Sequence, residues 1–117
     1  IHGDEELPYN FVAGCEGIPS YDQRHQLLED TFKQSFKAIS PDFQDTHGYP
    51  KNKPGEANLN IAAAWLGEQF KTLSYTIEMP FKDNADLPDP DFGWSAERSM
   101  QLGADVLFAI KQTLAKI

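Results

Sequence analysis

Four places in the 117-residue chain carry side chains that could do chemistry. His2 lies in His2-Gly3-Asp4-Glu5-Glu6, and neutral imidazole is the commonest side-chain metal ligand. The His2/Glu5 spacing matches H-x-x-E. Gly3 and Pro8 argue against a helix there, so the two side chains need not face one point. His2 is either a ligand or a solvent-exposed residue, and Glu5 and Glu6 read as solvated charge. Glu78 ends a run in which Leu73, Tyr75, Ile77 and Met79 alternate with Thr72, Ser74, Thr76 and Glu78. In open α/β sheets the ligand crevice lies at the carboxyl ends of strands. A carboxylate there can serve as general base toward a metal-bound water; it can equally cap a loop N–H. The stretch His47-Gly48-Tyr49-Pro50-Lys51-Asn52-Lys53 is basic and aromatic. Lys51 and Lys53 could pair with a substrate carboxylate while Tyr49 donates a hydrogen bond, or the stretch could be a solvated loop balancing nearby acids. Cys15 has no basic neighbour in sequence to lower its pKa, so it is not expected to be a nucleophile. His25, beside Arg24, is expected at the surface. There is no phosphate-binding glycine loop, no GxSxG and no Cys-x-x-Cys.

The elements that must position these residues can be read from spacing. Residues 3–19 carry Pro8, Gly14, Gly17 and Pro19 and read as loop, with a short extended piece at 10–13. Ser20 and Gln23 form a capping-box pattern. A helix then follows on Leu28, Phe32, Phe36 and Ile39, widened by Leu27, with Glu29 and Lys33 off the stripe. Ser40-Pro41 ends it. Residues 40–56 form a long connection of the kind that is usually functional. The Ala-rich stretch 58–66 reads as a short helix, and residues 72–79 as a strand closed by Pro80. Ser95 caps a last helix whose stripe is Leu102, Val106, Ile110, Leu114 and Ile117, with Glu97 in its first turn and Gly103 allowing close packing. One strand and one extended piece do not make a sheet, so strand partners are expected elsewhere in a longer parent chain.

Composition narrows the function classes. Net charge is −8, from 18 acidic against 10 basic side chains. That field repels phosphate backbones, so nucleic acid is not an expected partner. No apolar run is long enough to span a bilayer, so no membrane role is expected. With 40% hydrophobic and 12% aromatic residues the chain is rich enough in apolar surface to fold. A single cysteine excludes an internal disulfide and fits a reducing, cytoplasmic setting.

Two segments together resemble one family. The first is Ile1-His2-Gly3-Asp4-Glu5-Glu6-Leu7-Pro8-Tyr9-Asn10-Phe11. The second is Ser74-Tyr75-Thr76-Ile77-Glu78-Met79-Pro80-Phe81, followed by Gly93-Trp94-Ser95 and a helix containing Leu102-Gly103. Both resemble zinc metallocarboxypeptidases, in particular the bacterial group similar to cytosolic carboxypeptidases. The resemblance implies an α/β fold in which residues 1–117 are the C-terminal portion of an α/β/α sandwich around a mixed sheet. It implies His2 as the third zinc ligand and Glu78 as the glutamate that activates water and passes a proton to the leaving amine. It makes Tyr49 a candidate to close over substrate, and Lys51 and Lys53 candidates to select acidic side chains. The substrate would be a peptide or protein C-terminus.

The family's other two zinc ligands, an H-x-x-E pair, and its carboxylate-gripping arginines precede this segment, and only Ile1 precedes His2 here. Catalytic zinc generally takes three protein ligands plus water, so this chain alone is expected to hold zinc weakly and to self-associate. Two alternatives stand beside the carboxypeptidase: a zinc amidase of the same fold that deacylates N-acyl amino acids, and a non-catalytic interaction module.

Overall fold

The computed structural model describes residues 1–117. Three strands, β1 (His2–Asp4), β2 (Phe11–Ala13) and β3 (Thr76–Pro80), and three helices, α1 (Gln23–Ile39), α2 (Ala62–Phe70) and α3 (Ala96–Leu114), make an α/β fold. The sheet order is β1-β3-β2, with β1 parallel and β2 antiparallel to β3. The sheet is therefore mixed, and it is assembled within the chain: both neighbours of β3 come from residues 1–13. For β3 the expectation that its partners lie elsewhere is corrected: they are three-residue strands of this chain, too short to show alternation. β3 itself begins at Thr76 rather than residue 72, although Leu73 and Tyr75 keep the core-facing side.

Alternation along β3 decides the layers. Ile77 and Met79 pack with Phe32 and Phe36 of α1, Leu102, Val106 and Ala109 of α3, and Phe43 from the long connection. Thr76 and Glu78 face the opposite way, into a cavity. Phe36 stacks on Phe43 at 4.1 Å between ring centres. A second cluster of Cys15, Ile18 and Ala64 seats α2, where Gly67 matters: a Cβ there would lie 2.8 Å from that of Cys15.

Several local expectations change. Asp22, not Ser20, caps α1, accepting from the His25 N–H at 2.9 Å; the Ser20 N–H instead donates to Glu68. His25 is 2% exposed, stacked on Tyr21 and bonded to Asp22 through Nδ1 at 2.8 Å, so it is a core residue. Leu27 and Ile39 are exposed while Glu29 is buried, because Glu29 finds partners described below. The short helix starts at Ala62, four residues later than the stretch read for it. Ser95 caps α3 as expected, accepting from Arg98 N–H at 3.3 Å. The buried stripe of α3 is Leu102, Val106, Ala109 and Thr113, not Ile110, Leu114 and Ile117. Repeated steps of four overshoot a helical turn of about 3.6 residues and drift off the face; alternating four and three stays on it. Gly103 faces open space and brings nothing close.

The displaced residues Ile110, Leu114 (62% exposed) and Ile117 border an apolar groove of about 410 Å³ floored by Leu28, Phe32, Leu73 and Ile77. Each large apolar side chain covered there gains roughly 1.5–3 kcal/mol. The 117-residue polypeptide by itself is expected to self-associate through this face at micromolar concentration. Sedimentation equilibrium checks it, and a monomer with a sharp cooperative melt would refute it.

Glu68 ties α2 to the turn before α1, accepting from the Ser20 N–H at 2.9 Å and from Lys71 at 2.8 Å. The Lys71 and Ser20 contacts hold its carboxyl at about 2. A depressed folded-state value stabilises above the ordinary 4.5 and is lost as pH falls towards 2. Acid unfolding of Glu68→Gln should therefore begin from lower stability at pH 6 and fall less steeply between pH 4.5 and 2 than wild type. Parallel acid titrations of the two proteins check this, and equal slopes between pH 4.5 and 2 would disprove the linkage.

Candidate functional site

The register of β1 against β3 places His2 directly opposite Glu78. Their side chains meet, His2 Nδ1 lying 3.1 Å from Glu78 Oε2. Glu78 is the central residue of a three-strand row, flanked by His2 on one side and Phe11 on the other, and is 5% exposed. The imidazole is largely solvent-facing, with 72% of its side chain exposed. The sequence-expected pair is thus brought together at the middle of β3, not at a strand end, because the strand continues through Pro80 opposite Asp4.

Two residues along β1, Asp4 organises the same edge. Its Oδ1 accepts from the N–H groups of Leu7 at 2.7 Å and Glu6 at 2.8 Å, and its Oδ2 accepts from the Tyr49 hydroxyl. These bonds, Leu7 first, hold the Asp4 carboxyl below the usual carboxylate range. Burial, then the Asp4 bond and the nearby Glu78 charge, push the Tyr49 phenol well up, so it stays a protonated donor. Tyr49 also packs edge-on against Phe11 at 4.9 Å.

The loop that delivers Tyr49 is shaped by one side chain, Gln44. Its Oε1 accepts from the N–H groups of Thr46 (3.0 Å) and His47 (2.6 Å), while its Nε2 donates to the carbonyls of His47 (2.8 Å) and Asn10 (3.1 Å). His47 then stacks on Tyr9 at 4.1 Å. The loop carries five turn-forming residues yet is tied back to the start of β2.

A cavity of about 530 Å³ opens beside Glu78, with Thr76, Tyr49, Lys51, Glu16 and Lys33 among its walls. A second, about 460 Å³, is lined by His2, Asp4, Glu5, Glu6, Tyr49 and Phe81. Tyr49 borders both, and His2 and Glu78 meet between them. Lys51 lines the larger cavity; Lys53 is exposed and lies on neither. Cys15 is buried, and burial pushes its thiol up, which removes it from nucleophilic use. Asp4, Gln44, Glu16 and Lys33 were not singled out by spacing. Only the Glu29/Lys33 pair, four apart on a helix, leaves a trace in sequence.

As a metal site the arrangement is partial. No three His, Cys, Asp or Glu side chains converge. His2 suits zinc as one donor, and a catalytic zinc takes about three.

A carboxylate and an imidazole thus meet across two neighbouring strands of a mixed sheet, beside two cavities, an arrangement suited to acid–base chemistry. No family model matches the chain. It is 50% identical to a candidate carboxypeptidase A of Shewanella denitrificans, at TM-score 0.95, covering 97% of this chain and 30% of that one. Against the metallo-carboxypeptidase of Pseudomonas aeruginosa, solved with (2-guanidinoethylmercapto)succinic acid, it is 46% identical at TM-score 0.93, again covering 97% and 30%. An uncharacterized protein of Zymomonas mobilis is 43% identical over all 117 residues, which are 31% of its length. By fold and by sequence the chain is similar to these metallo-carboxypeptidases, as its motifs implied, and it spans about 30% of their length.

Proposed function

We propose that residues 1–117 are the C-terminal part of a zinc-dependent carboxypeptidase that hydrolyses the last peptide bond of a peptide or protein. The observation that carries this reading is the His2–Glu78 pair: opposite each other in register, 3.1 Å apart, and between two cavities. In the proposed enzyme His2 is one zinc ligand, and the remaining ligands lie outside these residues. Bound zinc supplies a Lewis acid and lowers the pKa of water.

The rest is done by side chains of this chain. Glu78, buried and presented by the middle strand, accepts a proton from the attacking water and returns it to the amine leaving group. Tyr49, kept protonated and aimed by Gln44 and Asp4, donates a hydrogen bond to bound substrate. Lys51, on the cavity wall, offers a charge to a substrate carboxylate, and Lys53 adds to the positive field of the same loop. The Pseudomonas relative holds a succinic acid derivative, whose carboxylates resemble a peptide C-terminus.

The experiment is hydrolysis by the full-length protein of one peptide in two forms, with a free and with an amidated C-terminus, alongside metal analysis. Release of the last residue from the free form only, abolished by chelation and restored by zinc, is expected. Equal cleavage of both forms would refute the reading.

A further inference from the structure

Away from Glu78 the larger cavity has a second, charged wall. Glu16 and Lys33 line it, with side chains 20% and 12% exposed, and Glu29 lies behind them at 5%. Lys33 Nζ donates to Glu29 Oε1, and the Tyr21 hydroxyl donates to Glu29 Oε2. The carboxyl groups of Glu16 and Glu29 also hydrogen-bond each other. An ionised carboxylate only accepts, so a bond between two carboxyl groups requires a proton. Glu29 already accepts from an ammonium and a phenol, which favours its charged form, so the proton sits on Glu16. Burial, then the bond to Glu29 and its charge, push the Glu16 carboxyl above 4.5. Burial also acts to raise Glu29, but the bonds with Glu16, Lys33 and Tyr21 prevail and hold it below 4.5. Cys15 and Tyr75, packed on the pair, stay neutral because burial pushes both up. Lys33, at 3.5 Å, is the one cation close to Glu16. Across the cavity, Asp45 is paired with Lys37 and Glu78 with His2. Lys51 and Lys53, on the neighbouring loop, are exposed and screened by solvent.

The turn that carries Glu16 is seated between two other segments. A Cβ at Gly14 would lie 2.7 Å from the Tyr75 ring, and one at Gly17, where φ is +85°, would lie 2.7 Å from the Lys53 carbonyl oxygen. The Gly17 carbonyl accepts from the Ala57 N–H at 3.1 Å. Glu16 therefore joins this turn, and the 52–57 loop resting on it, to α1. We propose that the proton shared by Glu16 and Glu29 is a pH-sensitive latch: while it is present the 14–17 turn and the 52–57 loop are held against α1, and once it is lost the two charges repel and the turn lifts away. Between 4.5 and its raised value, the latched Glu16 keeps a proton that a solvated Glu16 has given up. The latch is thus complete below 4.5 and weakens as pH rises through the raised value. No metal ligand and no substrate enters it, so it stands apart from the carboxypeptidase reading.

The test, on the full-length protein, is amide hydrogen exchange at Ala57 between pH 5 and 8, together with the infrared carbonyl stretch of a protonated carboxyl. Wild type is compared with Glu16→Gln, whose amide still donates to Glu29 at every pH. That variant stays latched and corrects for the intrinsic pH dependence of exchange. Loss of one hydrogen bond corresponds to roughly 5–10-fold in an opening equilibrium. Wild-type Ala57 should lose protection relative to Glu16→Gln by that factor from pH 5 to 8. A protonated-carboxyl band should persist in wild type above pH 5 and be missing from Glu16→Gln. Should that variant fail to fold, Glu29→Gln supplies the comparison: it leaves one carboxylate for one ammonium and should lose the band as well. Protection of Ala57 that runs parallel in wild type and Glu16→Gln, or a band above pH 5 that neither substitution removes, overturns the latch.

Discussion

Glu78→Gln in the full-length protein should lose most C-terminal hydrolysis while keeping fold and metal. The amide has the size of the carboxylate and can still hydrogen-bond His2, so the row His2, Glu78, Phe11 across the sheet survives. What disappears is the ability to take up and return a proton. Positioned acid–base groups contribute roughly 10²–10⁴-fold, which sets the expected fall in kcat. His2→Ala should behave differently. Its ring is mostly in solvent, but it partners the buried Glu78 carboxylate, so a stability loss of about 1–3 kcal/mol is expected, and metal content and activity should fall together because a ligand is gone. Three measurements on each variant separate the roles: bound zinc, melting temperature and turnover. Turnover of Glu78→Gln within a few-fold of wild type, or loss of its metal, would show that the role assigned to Glu78 is wrong.

Arg98→Ala should be the most damaging single change far from the cavity. Arg98 leaves the first turn of α3 and ties two loops together, the one after α1 and the one between β3 and α3. It reaches Asp42 at 2.6 Å, Asp83 at 3.2 Å and the carbonyls of Leu87 and Gly93 at 2.8 and 3.2 Å, and its guanidinium lies 4.9 Å above the Trp94 ring. Asp42 in turn takes a hydrogen bond from Asn84 at 3.0 Å, and its carbonyl takes one from Asn10 at 3.1 Å. Asn10 is the residue that anchors Gln44 and hence the Tyr49 loop.

Truncating Arg98 leaves two half-buried aspartates, Asp42 and Asp83, without the cation they share. Breaking a buried pair by removing one partner typically costs 3–5 kcal/mol; partial solvent access puts this one at about 3 kcal/mol. Arg98→Lys should recover little, since one ammonium cannot span the fork. Denaturant unfolding gives the comparison, and Arg98→Ala/Asp42→Asn should cost less than Arg98→Ala alone. A midpoint for Arg98→Ala indistinguishable from wild type would remove the network from the account of stability.

Sequence by itself determined the long amphipathic helices, the Ser40-Pro41 stop, the Ser95 cap, the core-facing side of β3 and the two residues, His2 and Glu78, that meet across β1 and β3. These are short-range facts: a helical or strand period, a proline, a capping hydroxyl, and for His2 and Glu78 motifs quoted over adjacent residues. Only the tertiary structure decided the rest. Strands of three residues carry no period: the extended piece read at 10–13 becomes β2, and β1 a strand, only because β3 offers them backbone partners. His25 and Glu29 are interior because Asp22 and Lys33 with Tyr21 supply their hydrogen bonds, and a polar residue's burial follows from its partners rather than its type. The charged wall of Glu16 and Lys33 arises the same way, from a loop and a helix 17 residues apart that no local pattern links. Side-chain periodicity is a property of one segment; charge pairing across a cavity belongs to how segments are packed.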